Sequence, residues 1–303
     1  MNSLCIIEFL FAAKFKYTLF EKNLSLKFSC LIFLFLFLPV PLLSQLKVTL
    51  TFSQSLARDW KQGETQSFEL NHSLNFSKVF RLDTLRLNVA VRWAIGVQYF
   101  KAENIGQPYI LPTDNELFAE GTLRYPRGWL VDPFFSANAR TQITESFIVT
   151  AAGKRTTAKF RDPITTTQTF GLAKAFADSL RRNRLALRLG FSYKQIRSEH
   201  YTQMTDDPKT PNIKESWKTE VGLEFKSEAN VRIVENIHWN GVVELFYNFH
   251  KLNQTVFRLN GELQANLTRL FAIVIRTEGS YDIRQRTGLQ YKENVRIGLV
   301  YGM

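Results

Sequence analysis

Four histidines are the side chains best suited to act as neutral bases, and they stand far apart at His72, His200, His238 and His250. His72 precedes Ser73, which brings a base next to a nucleophile in sequence. Neighbours in an extended strand point to opposite faces, however, so this pair cannot make the hydrogen bond that nucleophilic catalysis needs. The chain has no G-x-S-x-G elbow, no H-E-x-x-H zinc helix and no glycine-rich phosphate loop. Asp206 with Asp207, and Asp114 with Glu116, could offer oxygens to calcium. A calcium site wants ~6–8 oxygen ligands, so these are read as solvated loop acids. No catalytic residue, metal or cofactor is expected.

The chemistry that does recur is charge at every second position. From Leu85 to Tyr99 one parity reads Leu85, Leu87, Val89, Val91, Trp93, Ile95, Val97, Tyr99. The other reads Arg86, Asn88, Ala90, Arg92, Ala94, Gly96, Gln98. A period of two is the mark of a β-strand with one apolar and one polar face. The run is far longer than the ~5–6 residues of an ordinary strand and exceeds the ~9–11 that cross a bilayer at a tilt. The same parity elsewhere places Glu120, Arg140, Arg188, Glu220, Arg258, Glu262, Arg276 and Arg296 on the polar face with Arg86 and Arg92. If that face lines a lumen, long Arg and Glu side chains can interlock into a salt-bridged plug. Alternatively they line a narrow pore, and because bases outnumber acids the pore would mildly prefer anions.

Twelve strands carry these positions: Val48–Phe52, Thr65–Phe80, Leu85–Tyr99, Glu116–Tyr125, Trp129–Gln142, Ile164–Ala177, Arg184–Arg197, Ser216–Lys226, Val231–Phe249, Thr255–Leu267, Phe271–Asp282 and Leu289–Tyr301. Pro133 inside the fifth demands a bulge or a break in pairing. The connections Arg81–Thr84, Pro126–Gly128, Asp178–Asn183, Ser227–Asn230 and Thr268–Leu270 are short, whereas Lys101–Asn115, Ile143–Pro163 and Ser198–Glu215 are long. Such alternation is that of outer-membrane barrels, with tight periplasmic turns and longer external loops. Tyr99, Trp217, Tyr247, Tyr281 and Tyr291 cluster at the strand ends of the proposed outer rim, and Tyr125, Trp129, Phe225 and Tyr301 at the inner one. Two aromatic girdles are expected where rings meet lipid headgroups. The fold class implied is all-β, a transmembrane antiparallel up-and-down barrel of about twelve strands. A soluble sandwich is the alternative, opposed by strand length and by the absence of turns every ~8–12 residues.

Ahead of the strands, the uncharged run Phe28–Leu38 follows Lys22 and Lys27 and is closed by Pro39 and Pro41. With Ser44 before Gln45, residues 1–44 read as a secretory signal peptide, with an n-region long enough that a start near Leu24 fits the pattern, and residues 45–303 as the barrel. Cys5 and Cys30 both fall in the leader, so the mature chain has no thiol. The leader carries four lysines against two glutamates, leaving about +10 of the whole chain's +12 on the mature part. These charges alternate with apolar residues instead of clustering, and an exported chain does not meet nucleic acid. The expected partners are outer-membrane lipid and lipopolysaccharide.

Several segments resemble an uncharacterised Bacteroidetes-type outer-membrane β-barrel family, catalogued as a domain of unknown function. They are Leu289–Tyr301 (LQYKENVRIGLVY), Trp60-Lys61-Gln62-Gly63-Glu64, Asn138-Ala139-Arg140-Thr141-Gln142, Asp162-Pro163 and Ser280-Tyr281-Asp282. The resemblance implies a bacterial outer-membrane barrel and carries no catalytic or ligand residue with it. Such barrels usually finish on an aromatic read by the barrel-assembly machinery. Here the chain ends Tyr301-Gly302-Met303, so the resemblance assigns that contact to Tyr301 in the C-terminal strand. A narrow channel for small, mildly anionic solutes is the leading expectation for function. A non-conducting structural or ligand-binding barrel comes second, and a lipid-facing enzyme a distant third.

Overall fold

The computed structural model describes residues 46–55, 65–102, 109–150, 153–180, 182–201, 205–207, 209–250, 255–282 and 289–302. The expected leader and the segment 60–64 lie outside the described residues. Fourteen strands form among the described residues: β1 (Leu46–Ser55), β2 (Thr65–Leu82), β3 (Leu85–Ala102), β4 (Tyr109–Arg124), β5 (Asp132–Thr141), β6 (Ser146–Thr150), β7 (Gly153–Ala158), β8 (Ile164–Ala177), β9 (Arg184–Arg197), β10 (Trp217–Val234), β11 (Ile237–Asn248), β12 (Val256–Asn266), β13 (Phe271–Tyr281) and β14 (Gln290–Gly302). Twelve of them close into one barrel in the order β1-β14-β13-β12-β11-β10-β9-β8-β5-β4-β3-β2. Every neighbour is antiparallel. The seam is made by β1 and β14, from Lys47 opposite Gly302 to Phe52 opposite Ile297. β6 and β7 form a separate ribbon within the long connection from β5 to β8, where the sequence pattern predicts only loop.

The wall is inverted relative to a water-soluble protein. Phe170, Leu189, Phe191, Val295 and Ile297 are exposed, whereas Glu69, Glu120, Lys194, Glu220, Lys226, Arg276 and Arg296 are buried. Alternation alone accounts for this, since each strand turns its apolar parity outward and its charged parity into the barrel.

Several boundaries differ from those read in the sequence, and three of the differences have a clear local cause. The short connection expected at Ser227–Asn230 is instead the middle of β10, and the turn falls at Glu235 and Asn236. Ser-Glu-Ala-Asn has turn-like composition, but the parity runs unbroken through it: Phe225, Ser227, Ala229 and Val231 stay on one face, and Glu228 stays inward. Phe225 therefore sits within the wall and not at the inner rim. In the second case β4 begins at Tyr109, inside the expected loop Lys101–Asn115. There the register against β3 slips between Ile95 and Val97, where Pro112 opposes Val97 and Asn115 opposes Ile95. Thr113 and Asp114 together stand opposite the single residue Gly96, one residue more than a regular ladder holds. They fit because Gly96 has no Cβ; one built there would collide with the Asn71 amide oxygen and the Thr113 hydroxyl. Third, β5 starts at Asp132, so Pro133 lies at a strand end without a bulge. Its carbonyl accepts the Tyr125 amide at 3.0 Å, and the side that lacks an N–H faces the point where the β4 ladder has already stopped.

The long connections are tied together at Asp162. Its carboxylate accepts the Ser198 hydroxyl and the backbone amides of His200 at 2.8 Å and Glu199 at 3.2 Å, linking the β5–β8 connection to the β9–β10 connection. Burial pushes this carboxyl up, but the Ser198 hydroxyl and the His200 and Glu199 amides together outweigh it and hold it below its ordinary 3.8. A carboxyl lowered by folding stabilises fully above its unfolded value and loses that contribution as pH falls through the folded one. The tether should thus hold at neutral pH and release only in acid below 3.8. Asp162→Ala should speed hydrogen exchange at the Glu199 and His200 amides about tenfold or more at neutral pH, the loss of a hydrogen bond to a charged acceptor. Unchanged exchange would mean that the carboxylate does not hold the loop.

Candidate lumen site

The inward parity brings charges from opposite walls into contact. Glu120 on β4 accepts Lys226 of β10 at 2.8 Å and Arg188 of β9 at 2.8 Å. β5, β8 and β9 lie between β4 and β10 in the barrel order, so the first of these contacts crosses the lumen. Glu228 completes the belt, 2.7 Å from Arg188 and 3.2 Å from Lys226, and the Thr122 hydroxyl donates to Glu120 at 3.1 Å. The side chains of Glu120 and Lys226 are only 6% and 8% exposed. At that depth an unpaired charge is costly, so each of these groups depends on the others.

Toward the long-loop end, Arg140 on β5 meets Glu116 of β4 at 3.0 Å and Glu244 of β11 at 3.8 Å, a second crossing. Glu116 also lies 3.6 Å from Arg92, and Glu244 lies 3.5 Å from Lys226. Phe118 projects inward between these cations, its ring 5.0 Å from the Arg140 guanidinium and 5.7 Å from the Lys226 ammonium. Against the remaining wall, the bulge residue Asp114 holds Arg296 of β14 at 2.9 Å and Arg276 of β13 at 3.1 Å. Arg296 reaches Glu69 at 3.2 Å, and Lys47 of β1 reaches Glu262 of β12 at 2.9 Å. Glu220 binds Lys194 at 3.1 Å and Lys218 at 3.2 Å.

Of the ten residues assigned to the lumen from the sequence, Arg92, Glu120, Arg140, Arg188, Glu220, Glu262, Arg276 and Arg296 enter these ion pairs. Arg258 stands opposite Glu244 in the β11–β12 ladder and lines a cavity described below. Arg86 is exposed near the short-turn rim, opposite Arg81 and Arg124. Among the aromatics assigned to girdles, Trp217, Tyr247, Tyr291, Trp129 and Tyr301 are exposed, while Tyr99, Tyr281 and Tyr125 are half-buried. The Tyr125 ring carries the Arg127 guanidinium 4.7 Å from its centre. His72 faces outward against Trp93, ring centroids 5.0 Å apart, while Ser73 faces inward opposite Ala94.

Sequence reading missed some of the decisive members. Asp114 falls ahead of the fourth strand read from the sequence and so reads as a loop acid, but β4 extends back to Tyr109 and Asp114 keeps the inward parity of Glu116, Phe118 and Glu120. Glu116 reads from the sequence both as a loop-edge acid and as a member of the polar face. Both are paired inside the barrel, and so are not solvated. Lys194, Lys226 and Phe118 share the inward parity with Arg188, Glu220 and Glu120, so alternation could have found them. What alternation could not supply is which charge meets which.

A cavity of about 70 Å³ remains above the belt, lined by Arg140, Lys194, Arg258, Glu224, Glu244 and the inward faces of Phe118 and Phe246 among others. No group of three or more His, Cys, Asp or Glu positioned to hold a metal ion occurs among the described residues.

The model of a family described as a protein of unknown function (DUF3078) matches residues 52–147. That match and the closed barrel agree with the resemblance to an uncharacterised outer-membrane barrel family read from the sequence. No curated protein matches the chain significantly. Among solved structures, the β domain of the Bordetella autotransporter BrkA is 11% identical, with 86% of this chain and 99% of that chain covered and a TM-score of 0.34. The translocator domain of the autotransporter NalP from Neisseria meningitidis is 10% identical, covering 86% of this chain and 88% of that one, with a TM-score of 0.37. A mutant porin of Rh. blastica is 6% identical, covering 84% and 97%, with a TM-score of 0.19.

Proposed function

We propose that this chain is a bacterial outer-membrane barrel whose lumen is closed at rest and binds small solutes without passing them freely. The inverted wall supports the membrane setting, because an apolar exterior of this extent would drive a soluble protein to associate. On this reading residues 1–44 are removed on export, the outer face contacts lipid and lipopolysaccharide, and the C-terminal strand with Tyr301 is presented to the assembly machinery. Barrels of ~8 strands are filled by side chains, and those of ~16–18 leave an aqueous channel. Twelve strands fall between these regimes, so the contents of the lumen decide the matter. The observation that carries the closed reading is the bracing of opposite walls by Glu120–Lys226 and Arg140–Glu244, with Phe118 filling the gap.

A narrow anion-preferring channel is the second reading, favoured by the surplus of inward bases. Planar-bilayer recording of refolded mature protein separates the two. The expected result is membranes that stay silent although heat-dependent gel mobility shows the barrel folded. Stable conductance steps from folded protein would overturn closure. Under the channel reading, replacing Arg92 and Arg140 by Glu should then move selectivity toward cations, and the preference should fade at ~1 M salt, where the screening length is ~3 Å.

A further inference from the structure

The cavity above the belt is not electrically balanced. Three bases line it, Arg140, Lys194 and Arg258, against two acids, Glu224 and Glu244. Most of these are already engaged. Arg140 is held by Glu116 and Glu244, Lys194 by Glu220, and Glu224 accepts the hydroxyls of Thr169 at 3.2 Å and Ser192 at 3.1 Å. Arg258 differs. It shares its surroundings with Glu244, Glu116 and Asp282 and with the like charge of Arg140, yet its guanidinium makes no hydrogen bond or ion pair with any side chain among the described residues. A guanidinium inside a barrel wall with its donor fork unused is poised for a planar or tetrahedral oxyanion, the partner whose geometry matches it.

The cavity's position supports the same assignment. Its lining residues belong to the long-loop halves of β5, β8, β9, β10, β11 and β12, with Phe118 of β4 one inward position above Glu120, so it lies above the Glu120–Lys226 crossing. A ligand entering from the long-loop rim therefore meets Arg258 before the closure. The threonine hydroxyls at Thr165 and Thr167 and the Asn138 amide add uncharged donors around the space. The volume is large enough for a carboxylate or phosphate group.

We propose that this cavity is a binding site for a small oxyanion, a carboxylate- or phosphate-bearing solute held through Arg258. The assignment deepens the reading of a closed, ligand-binding barrel and rests on it. Inorganic phosphate and acetate serve as the probes, titrated calorimetrically into folded, detergent-solubilised mature protein, with tetramethylammonium as the cationic control. Saturable binding of one or both anions and none of the cation is expected. Arg258→Gln should weaken it about tenfold or more, the loss of charged donors, while Arg86→Gln, an inward arginine outside the cavity, should leave it unchanged. Phosphate-only binding would assign the site to phosphate-bearing solutes, and acetate-only binding to carboxylates. If Arg258→Gln does not fold, Arg258→Lys keeps the charge without the fork and should bind with an intermediate affinity. Absence of anion binding to folded wild-type protein, or equal affinity in the Arg258 variants, overturns the site. The two ideas fail separately, since conductance would refute closure without touching anion binding, and missing anion binding would refute the site in a barrel that stays silent.

Discussion

Glu120→Gln should destabilise the folded barrel by about 3–5 kcal/mol, the cost typical of removing one partner from a buried ion pair. The carboxylate sits between Lys226 and Arg188 at 2.8 Å from each, and its side chain is 6% exposed. Gln keeps the shape and can still accept one hydrogen bond, so the loss is electrostatic. Two cations would be left facing one another with Glu228 as their nearest remaining counter-charge. Urea titration of refolded protein, followed by the shift in gel mobility, reads the effect. The double variant Glu120→Leu with Lys226→Met should recover much of the loss, because paired replacement by apolar residues of similar volume is often neutral. If Glu120→Gln is as stable as wild type, the crossing is a surface-like contact and the closed-lumen reading loses its main support. The same variant bears on function: with the brace removed, transient conductance in a planar bilayer should rise from silence.

Val91→Arg should cost ~2–4 kcal/mol, the penalty of a lipid-facing cation near the bilayer midplane. Val91 lies within β3 on the outward parity, opposite Phe76 on one side and Ala119 on the other, with apolar side chains above and below it on the strand. Asn88→Arg on the inward parity should be mild. Asn88 is opposite Thr122 and its amide oxygen accepts the Ser77 hydroxyl at 3.5 Å, a polar setting near the short-turn end where a long cation can reach water. Refolding yield and urea midpoint in lipid vesicles would show the contrast. Equal destabilisation by the two substitutions would mean that the faces of β3 are not lipid and lumen.

The wall of this barrel was largely readable because its information is local. Both β8 and β9 run from Ile164 to Ala177 and from Arg184 to Arg197, the limits set by their alternation and by the polar connection Asp178–Asn183. β10 shows the limit of composition as a guide. Ser227–Asn230 has the residues of a turn, yet a strand already paired on both sides continues through them for as long as the inward and outward faces remain correct. The bulge at Thr113 and Asp114 was illegible for a different reason. It exists because β3 offers Gly96 at that level, a condition set by the neighbouring strand.

By itself, the sequence determined that the chain would form long antiparallel strands with apolar and charged faces, because a period of two acts within each strand and needs no partner. It also determined which charges face inward along most of them. Only the tertiary structure decided how those charges are spent. Glu120 and Lys226 are 106 residues apart, and Asp114 and Arg296 are 182 apart. They meet because closure of β1 on β14 brings opposite walls within the reach of an arginine and fixes the stagger of every strand between. Whether a charged lumen is plugged or open depends on that diameter and stagger, which no short stretch of sequence contains.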